Sequence, residues 1–407
     1  MQSAAPIDIE REVTLNESWG FHPDAGQDKR ELNHVFLTGA TGFLGTHLLA
    51  ELLEQTNAQV YCLARSGPEG SATERIGRSL AFYQRWKEAD AARIVALEGD
   101  LARPNLGLTE SQFQMLAEQV DTIVHNGAMV NIMLPYSSAK GSNVFGTQEV
   151  LRLASLGRGI PLHYISTLGI FFGQNSGCVG EDASPIASLQ RNGYQQSKWV
   201  AEGVVRLAQK RGLAANIYRA VRILGDSRSG IIGNFDDFLF AILEGCVELG
   251  AYPAVENVIN FIPMDYASKA IIHIAKQTPL SGETFHLAHQ APCSWRMLFQ
   301  HMIAAGYPMQ ALSYEEWTSA VDQAATKRGS RSPFGFLKML SRMPNNIFAP
   351  KPAFDDRNTR QGLAGTGIVC PPVDAVLLNA YFQYFERAGL LRKQVGLTTN
   401  GVESVAG

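Results

Sequence analysis

Residues 34–45, HVFLTGATGFLG, constrain this chain more than any other stretch. A short apolar run at 34–37 breaks into a glycine-rich turn at 38–45, and an amphipathic segment, 46–55, follows at once. Strand, glycine turn and helix in that order build an anion site, because a helix N-terminus presents unpaired N–H groups. Gly39 permits the tight turn. Gly42 lets the backbone approach a pyrophosphate with no Cβ in the way, and Gly45 lets the helix lie close on the strand. Thr38, Thr41, Phe43 and Leu44 complete the expected dinucleotide cradle. The spacing is G-x-x-G-x-x-G rather than G-x-G-x-x-G, and an ordinary strand–helix turn carries similar glycines, so the motif needs the rest of the chain.

After it, strand and helix signals alternate. Apolar runs stand at 35–37, 60–63, 94–97, 122–125, 162–166, 216–218 and 284–287. Helix-period stretches lie at 43–55, 72–87, 111–118, 137–156 and 193–211. This pattern predicts an α/β fold with a doubly wound parallel sheet covered on both faces. Beyond Gly225 the pattern becomes helical with long joins, which predicts a smaller, mostly helical C-terminal cap. The expected division is an N-terminal linker or arm at 1–30, a cofactor-binding domain at 31–225 plus 257–290, a cap at 226–256 plus 291–395, and a flexible tail at 396–407.

With 407 residues and 45% hydrophobic content, the chain can bury a large core. A net charge of −3 argues against a nucleic-acid or anionic-membrane surface. Cys62, Cys178, Cys246, Cys293 and Cys370 are scattered without metal-ligand spacing, which fits reduced thiols, no metal site and a cytoplasmic setting. Residues 1–10 have no secretory pattern, and no run approaches the ~18 apolar residues of a membrane span.

Cofactor chemistry is expected at strand ends. Arg65 follows the second strand, where an acidic residue would accept from the 2′-OH of NAD and an Arg suits the 2′-phosphate of NADP. The other reading is a solvated loop Arg. Asp100, with Leu101 after the third strand, can accept from the adenine amine or simply start a turn. Asn126, Gly127 and Ala128 end the fourth strand, where small residues let a ribose lie against the backbone. Asn143 is a further cofactor candidate, although a buried mid-helix Asn also bridges backbone groups. Tyr194 and Lys198 share a helix face at i, i+4. A nearby ammonium is expected to lower the phenol pKa from about 10, and Lys198 can also hold a ribose. Thr167, at the end of the fifth strand, can donate to an oxygen gaining charge.

These motifs resemble the extended short-chain dehydrogenase/reductase superfamily. More closely, the chain resembles the thioester reductase domains of non-ribosomal peptide synthetases, polyketide synthases, carboxylic acid reductases and α-aminoadipate reductases. The resemblance runs from about Val35 to about Trp317 and rests on TGATGFLG (38–45), HNGAMVN (125–131), NVFGTQEVLRLA (143–154), YISTLG (164–169), YQQSKWVAE (194–202) and IYRAVRILGDSRSGIIGNFDDF (217–238). It implies a Rossmann-type sheet and NADPH-dependent reduction of an acyl or peptidyl thioester on a carrier domain's phosphopantetheine arm. The product would be an aldehyde, reduced further to an alcohol in some relatives. Thr167, Tyr194 and Lys198 are the implied catalytic residues. The implied partner is an upstream carrier domain joined through residues 1–30, and the domain alone is expected to be monomeric. The alternatives are a fatty acyl-CoA reductase, a related reductase or epimerase, or a non-enzymatic NADP-binding scaffold or sensor.

Two departures stand out. Ala220-Val221 follows Arg219 where the family usually has Pro-Gly, which affects the expected nicotinamide border. Phe171 and Phe172 are bulky and either line an acyl tunnel or pack the core. Separately, residues 327–351 hold Lys327, Arg328, Arg331, Lys338, Arg342 and Lys351 with no acid, and Phe334, Phe336 and Leu337 between them. This stretch is expected either to dock an acidic carrier domain or to be a solvated basic loop.

Overall fold

The computed structural model describes residues 7–21, 32–156, 159–174, 176–233, 238–277, 280, 282–328, 333–342 and 348–391. All seven apolar runs become strands, some one to three residues longer than predicted: β1 (His34–Thr38), β2 (Gln59–Ala64), β3 (Ile94–Glu98), β4 (Thr122–His125), β5 (Leu162–Thr167), β6 (Ala215–Ala220) and β7 (Thr284–Leu287). They form one parallel sheet in the order β7-β6-β5-β4-β1-β2-β3. The order reverses between β1 and β4, and that switch point opens the crevice in which such sheets bind ligands.

Period-2 alternation sends successive side chains to opposite faces. Val35, Leu37, Val60 and Cys62 enter one buried cluster, with Leu48 and Leu52 of α1 (Phe43–Gln55) and Ile76 of α2 (Ala72–Phe82). Phe36, Tyr61, Leu63 and Ile123 enter another, with Phe113 of α3 (Glu110–Gln119), Val150 of α5 (Gly146–Ser155) and Val204 of α6 (Gly193–Lys210). Two predicted helices are shorter than expected. The stretch 72–87 ends at Phe82, and Gln84 has φ +57°, outside the helical range. The stretch 137–156 splits into α4 (Tyr136–Lys140), a π-helical turn at Gly141–Phe145 and α5.

Beyond β6 lie α7 (Phe238–Leu249), α8 (Met264–Ala275), α9 (Trp295–Ala304), α10 (Tyr314–Arg328), α11 (Pro333–Arg342), α12 (Arg357–Gly362) and α13 (Ala375–Arg387). α8 returns to the sheet, with Ala267, Ile271 and Ile272 in the cluster that holds α1. Leu243, Phe299, Trp317, Leu337 and Phe382 build a third cluster from α7, α9, α10, α11 and α13.

Residues 353–363, which the sequence reading assigns to the cap, pack on the sheet instead. Ala353–Phe354 pairs with Cys178–Val179, and Phe354 and Leu363 join the α1-side cluster. The cause is the exposed edge of β7. Asn358 Nδ2 donates to the Thr284 carbonyl at 3.0 Å, and Thr359 Oγ1 donates to the His286 carbonyl at 2.9 Å, so α12 satisfies edge-strand acceptors.

The N-terminal segment, too, is more than a linker over residues 7–21. Ile9, Leu15 and Phe21 are buried in the α6-side cluster, and Glu12 pairs with Lys140 at 2.6 Å. Residues 1–6 and 22–30, and the tail expected at 396–407, lie outside the described residues.

Among the described residues of the basic stretch, three cations have partners. α11 is amphipathic and buries Phe334, Leu337 and Leu340. Lys338 lies 3.4 Å from Asp322 of α10, and Arg342 pairs with the same carboxylate. Lys351 sits over the Phe172 ring, 5.5 Å from its centroid. Arg331 lies outside the described residues.

Candidate active site

The glycine turn has the geometry its sequence demands. Gly39 adopts φ +74°, and a Cβ there would stand 2.7 Å from the Gly127 Cα. A Cβ on Gly45 would stand 1.9 Å from the Gly39 carbonyl oxygen, so this glycine accommodates the turn itself rather than the strand. Gly42 is the N-cap of α1, is exposed, and supplies no side-chain cap. The first N–H groups of α1 therefore receive no cap from the side chain of the N-cap residue. Thr41, Phe43 and Leu44 are partly exposed around it. Gly45→Ala forces the turn open and raises the dinucleotide Kd by about tenfold or more, equivalent to about 1.4 kcal/mol, as read by NADPH fluorescence titration.

Two predicted contact residues face inward. Thr38 is fully buried, so its side chain is not presented to a cofactor. Its oxygen accepts from the Gly127 N–H at 2.9 Å and lies 2.7 Å from His125 Nδ1. His125 Nε2 lies 3.0 Å from Thr147 Oγ1, whose hydroxyl donates to the Asn143 carbonyl at 2.7 Å. With that hydroxyl proton committed, Nε2 donates to Thr147, and Nδ1 accepts from Thr38. Burial, with the charge of Lys198, pushes the His125 imidazole down to about 3, so it stays neutral in this role. The chain ties β1 to β4 beneath the crevice.

Asn143 is likewise spent inside the protein. Its oxygen accepts from the Met129 N–H at 2.6 Å, and its amide donates to the Met129 carbonyl at 3.0 Å and to Ser197 Oγ at 2.8 Å. It sits in the π-helical turn, which displaces it from the α-helical register and aims it at α6. Asn126 closes the same region with a long amide contact, 3.4 Å, to the Gly39 carbonyl, while Gly127 and Ala128 line the β4 end partly exposed.

Thr167 ends β5, and Tyr194 stands in the first turn of α6 behind the Asn192 N-cap. Thr167 stands close enough to Tyr194 to act on its phenol. Thr167 Oγ1 also accepts from the Gly169 N–H at 3.0 Å. Burial pushes the Tyr194 phenol up to about 12, partly offset by Thr167. The expected lowering by Lys198 is not what the structure does. Lys198 donates to Tyr164 Oη at 2.8 Å and to the Ile165 carbonyl at 2.7 Å, with its ammonium 4.3 Å from the Tyr164 ring centroid. Burial pushes Lys198 down to about 7, against the opposing pull of Glu202. Between about 7 and its ordinary 10.5 the folded protein therefore binds fewer protons here than the unfolded chain, so stability rises with pH through that window. Lys198→Met flattens the rise of Tm between pH 7 and pH 9.

Sequence reading assigned no role to the group behind these residues. Glu202 is fully buried four residues after Lys198. It accepts from Ser166 Oγ at 2.6 Å and pairs with Arg219 at 2.6 Å and Arg206 at 3.1 Å. Burial alone would raise its pKa, but Arg219, Arg206 and Ser166 outweigh it and hold the carboxyl at about 2. The i, i+4 count from Lys198 was the available signal. Phe171 is buried with the Arg219 guanidinium 4.7 Å from its ring centroid, so it packs the core rather than lining a tunnel. Ala220 and Val221, at the Pro-Gly departure, are buried, and the Ala220 carbonyl is a distant acceptor for Thr167 at 3.4 Å.

At the other end of the crevice Arg65 is exposed, and its side chain makes no hydrogen bond or ion pair with any described residue. Its carbonyl accepts from Arg75 at 2.6 Å. Asp100 starts a turn, accepting from the Ala102 N–H at 3.0 Å, and Leu101 packs between Gly127 and Gly146. Among the described residues no group of three or more His, Cys, Asp or Glu could hold a metal, and no helix is long and apolar enough to cross a membrane.

Comparison with known proteins agrees with this arrangement. The family described as Male sterility protein, an NAD-binding domain, matches residues 37–271. The chain is 36% identical over 90% of its length to a linear gramicidin synthase of Brevibacillus parabrevis, of which it spans 7%. It is 35% identical over 97% of its length to Glycine betaine reductase ATRR of Emericella nidulans, of which it spans 32%. The chain thus covers well under two thirds of these curated relatives. The crystal structure of the terminal R domain from the myxalamid PKS-NRPS biosynthetic pathway superposes with a TM-score of 0.87 at 38% identity, covering 95% of this chain and 98% of that one. With the switch-point crevice, the glycine cradle and the Thr167–Tyr194 pair together, the chain belongs to the Male sterility family of nicotinamide-dependent oxidoreductases and, within it, to the terminal reductase domains.

Proposed function

We propose that this chain catalyses NADPH-dependent reductive release of an acyl or peptidyl thioester from the phosphopantetheine arm of a carrier domain. The observation that carries the reading is the Thr167–Tyr194 hydroxyl pair beside buried Lys198, at the strand ends that also carry the glycine cradle. A dinucleotide fits the cradle: the uncapped α1 N-terminus takes the pyrophosphate, and a Cβ at Gly39 or Gly45 would close the turn. When bound, the reduced nicotinamide supplies a hydride to the thioester carbon.

The chain's own groups do the rest. Thr167 and Tyr194 donate to the carbonyl oxygen as it gains charge, which lowers the barrier most where water is excluded. Tyr194, with a pKa near 12, is a neutral donor at physiological pH and supplies the proton that the oxygen takes. Lys198, freed from the Ile165 carbonyl, holds a ribose hydroxyl. Collapse of the adduct expels the thiol arm, so that thioester, NADPH and one proton give aldehyde, thiol and NADP. The test is NADPH absorbance with one acyl group offered on a purified carrier and on coenzyme A. Faster turnover of the carrier form supports the reading; equal turnover favours an acyl-CoA reductase, and no consumption with either removes the redox reading.

NADPH is preferred to NADH because Arg65 stands exposed and uncommitted after β2, where a 2′-phosphate would lie. A charge-assisted contact contributes about 1.5–3 kcal/mol. Arg65→Ala raises the NADPH KM roughly 10- to 100-fold and leaves the NADH KM unchanged.

A further inference from the structure

We infer that Val130, Met133 and Leu134 form an apolar lip beside Tyr194 that takes the acyl chain next to the thioester carbon, so that the site selects apolar over charged acyl groups. The inference rests on the thioester-reductase reading above and adds the substrate class.

Val130, Met133 and Leu134 are large apolar side chains left 64%, 50% and 38% exposed within five positions. Such clustering on a water-facing surface marks a contact site. The loop that carries them is built, not loose. At one end Asn143 bonds both backbone groups of Met129 and donates to Ser197, whose hydroxyl donates to the Tyr194 carbonyl at 2.8 Å. At the other end the backbone of Leu134, Pro135 and Tyr136 packs on Gly193, where a Cβ would stand 2.4 Å from each of the three residues. The loop is thus clamped to α6 at Ser197 and at Gly193, on either side of Tyr194. Within it the Met133 N–H donates to Asn131 Oδ1 at 2.9 Å, and Val130 and Met133 are exposed while Tyr136 is buried.

The occupant follows from chemistry. Residues 122–139 contain no Asp, Glu, Lys or Arg, so the loop itself offers a charged group no ionic partner. The acyl chain is the part of the substrate that must lie beside the carbonyl held by Tyr194 and Thr167.

The experiment measures NADPH consumption by the full chain with pantetheine thioesters of acetate, butyrate, hexanoate and succinate. In the parent protein kcat/KM rises about two- to threefold per methylene from acetyl to hexanoyl, less than full burial would give, and succinyl falls below butyryl. The double variant Val130→Ser/Met133→Ser and the single variant Leu134→Ser flatten that gradient, with the largest loss for hexanoyl and the smallest for acetyl. These are surface positions, and Tm checks that the variants fold. A flat gradient in the parent, or equal losses for all chains in the variants, overturns the lip while leaving thioester reduction intact. Losses confined to carrier-loaded substrates would assign the patch to the carrier protein and also overturn it. No consumption with any thioester, carrier-bound included, removes the underlying reading instead.

Discussion

Tyr194→Phe lowers kcat by roughly 10²–10⁴-fold, the range for loss of a positioned proton donor, and leaves dinucleotide affinity nearly unchanged. The phenol does two things that no neighbour replaces. It donates to the developing oxyanion, and it carries the proton that the oxygen takes. Thr167 keeps a donor in place, so the variant retains residual oxyanion stabilisation, and Tyr194→Phe/Thr167→Ala falls further. The pH dependence distinguishes the two ionisable groups at the site. The phenol stays protonated below about 12, so it does not limit activity in the usual range. Lys198 is protonated below about 7 in the free protein. If the ammonium is the form that binds the ribose and supports the oxyanion, kcat/KM falls as pH rises through about 7. Stopped-flow single turnovers separate this effect on chemistry from product release.

The second large effect is on stability. Glu202→Ala removes the partner of Arg219, whose side chain is fully buried. An uncompensated buried guanidinium costs about 3–5 kcal/mol, read as a lower urea midpoint at unchanged m. Ser166 loses its acceptor in the same variant, and β5 ends one residue later at Thr167, so kcat falls with stability. Glu202→Gln keeps the shape and part of the hydrogen bonding and gives a smaller loss. The ionised carboxylate contributes stability that is fully present above its ordinary 4.5 and is lost as pH falls toward about 2. Glu202→Gln therefore shows a weaker dependence of Tm on pH in that window.

Much of the sheet was readable because its signals are local. Each strand is a short apolar run, and a parallel sheet covered on both faces buries every position of such a run. Tyr194 and Lys198 were readable because a helix places i and i+4 on one face. The segment 353–363 was not, because its place depends on unsatisfied carbonyls of β7, an edge some seventy residues earlier in the chain. Asn143 bridges backbone groups, the alternative its mid-helix position already offered, and only the packed strands show that the Thr38 side chain faces inward as well.

By itself the sequence determined the alternation of strands and helices, the turn that only glycines at 39 and 45 can make, and the helix face shared by Tyr194 and Lys198. Periodicity and backbone sterics are properties of neighbouring residues, so they can be read along the chain. The tertiary structure decided that burial raises the Tyr194 phenol instead of Lys198 lowering it, and that Lys198 itself sits near 7. It also decided that a buried Glu202–Arg219 pair backs the site. Those outcomes depend on desolvation and on partners brought together from distant strands, which no local pattern encodes.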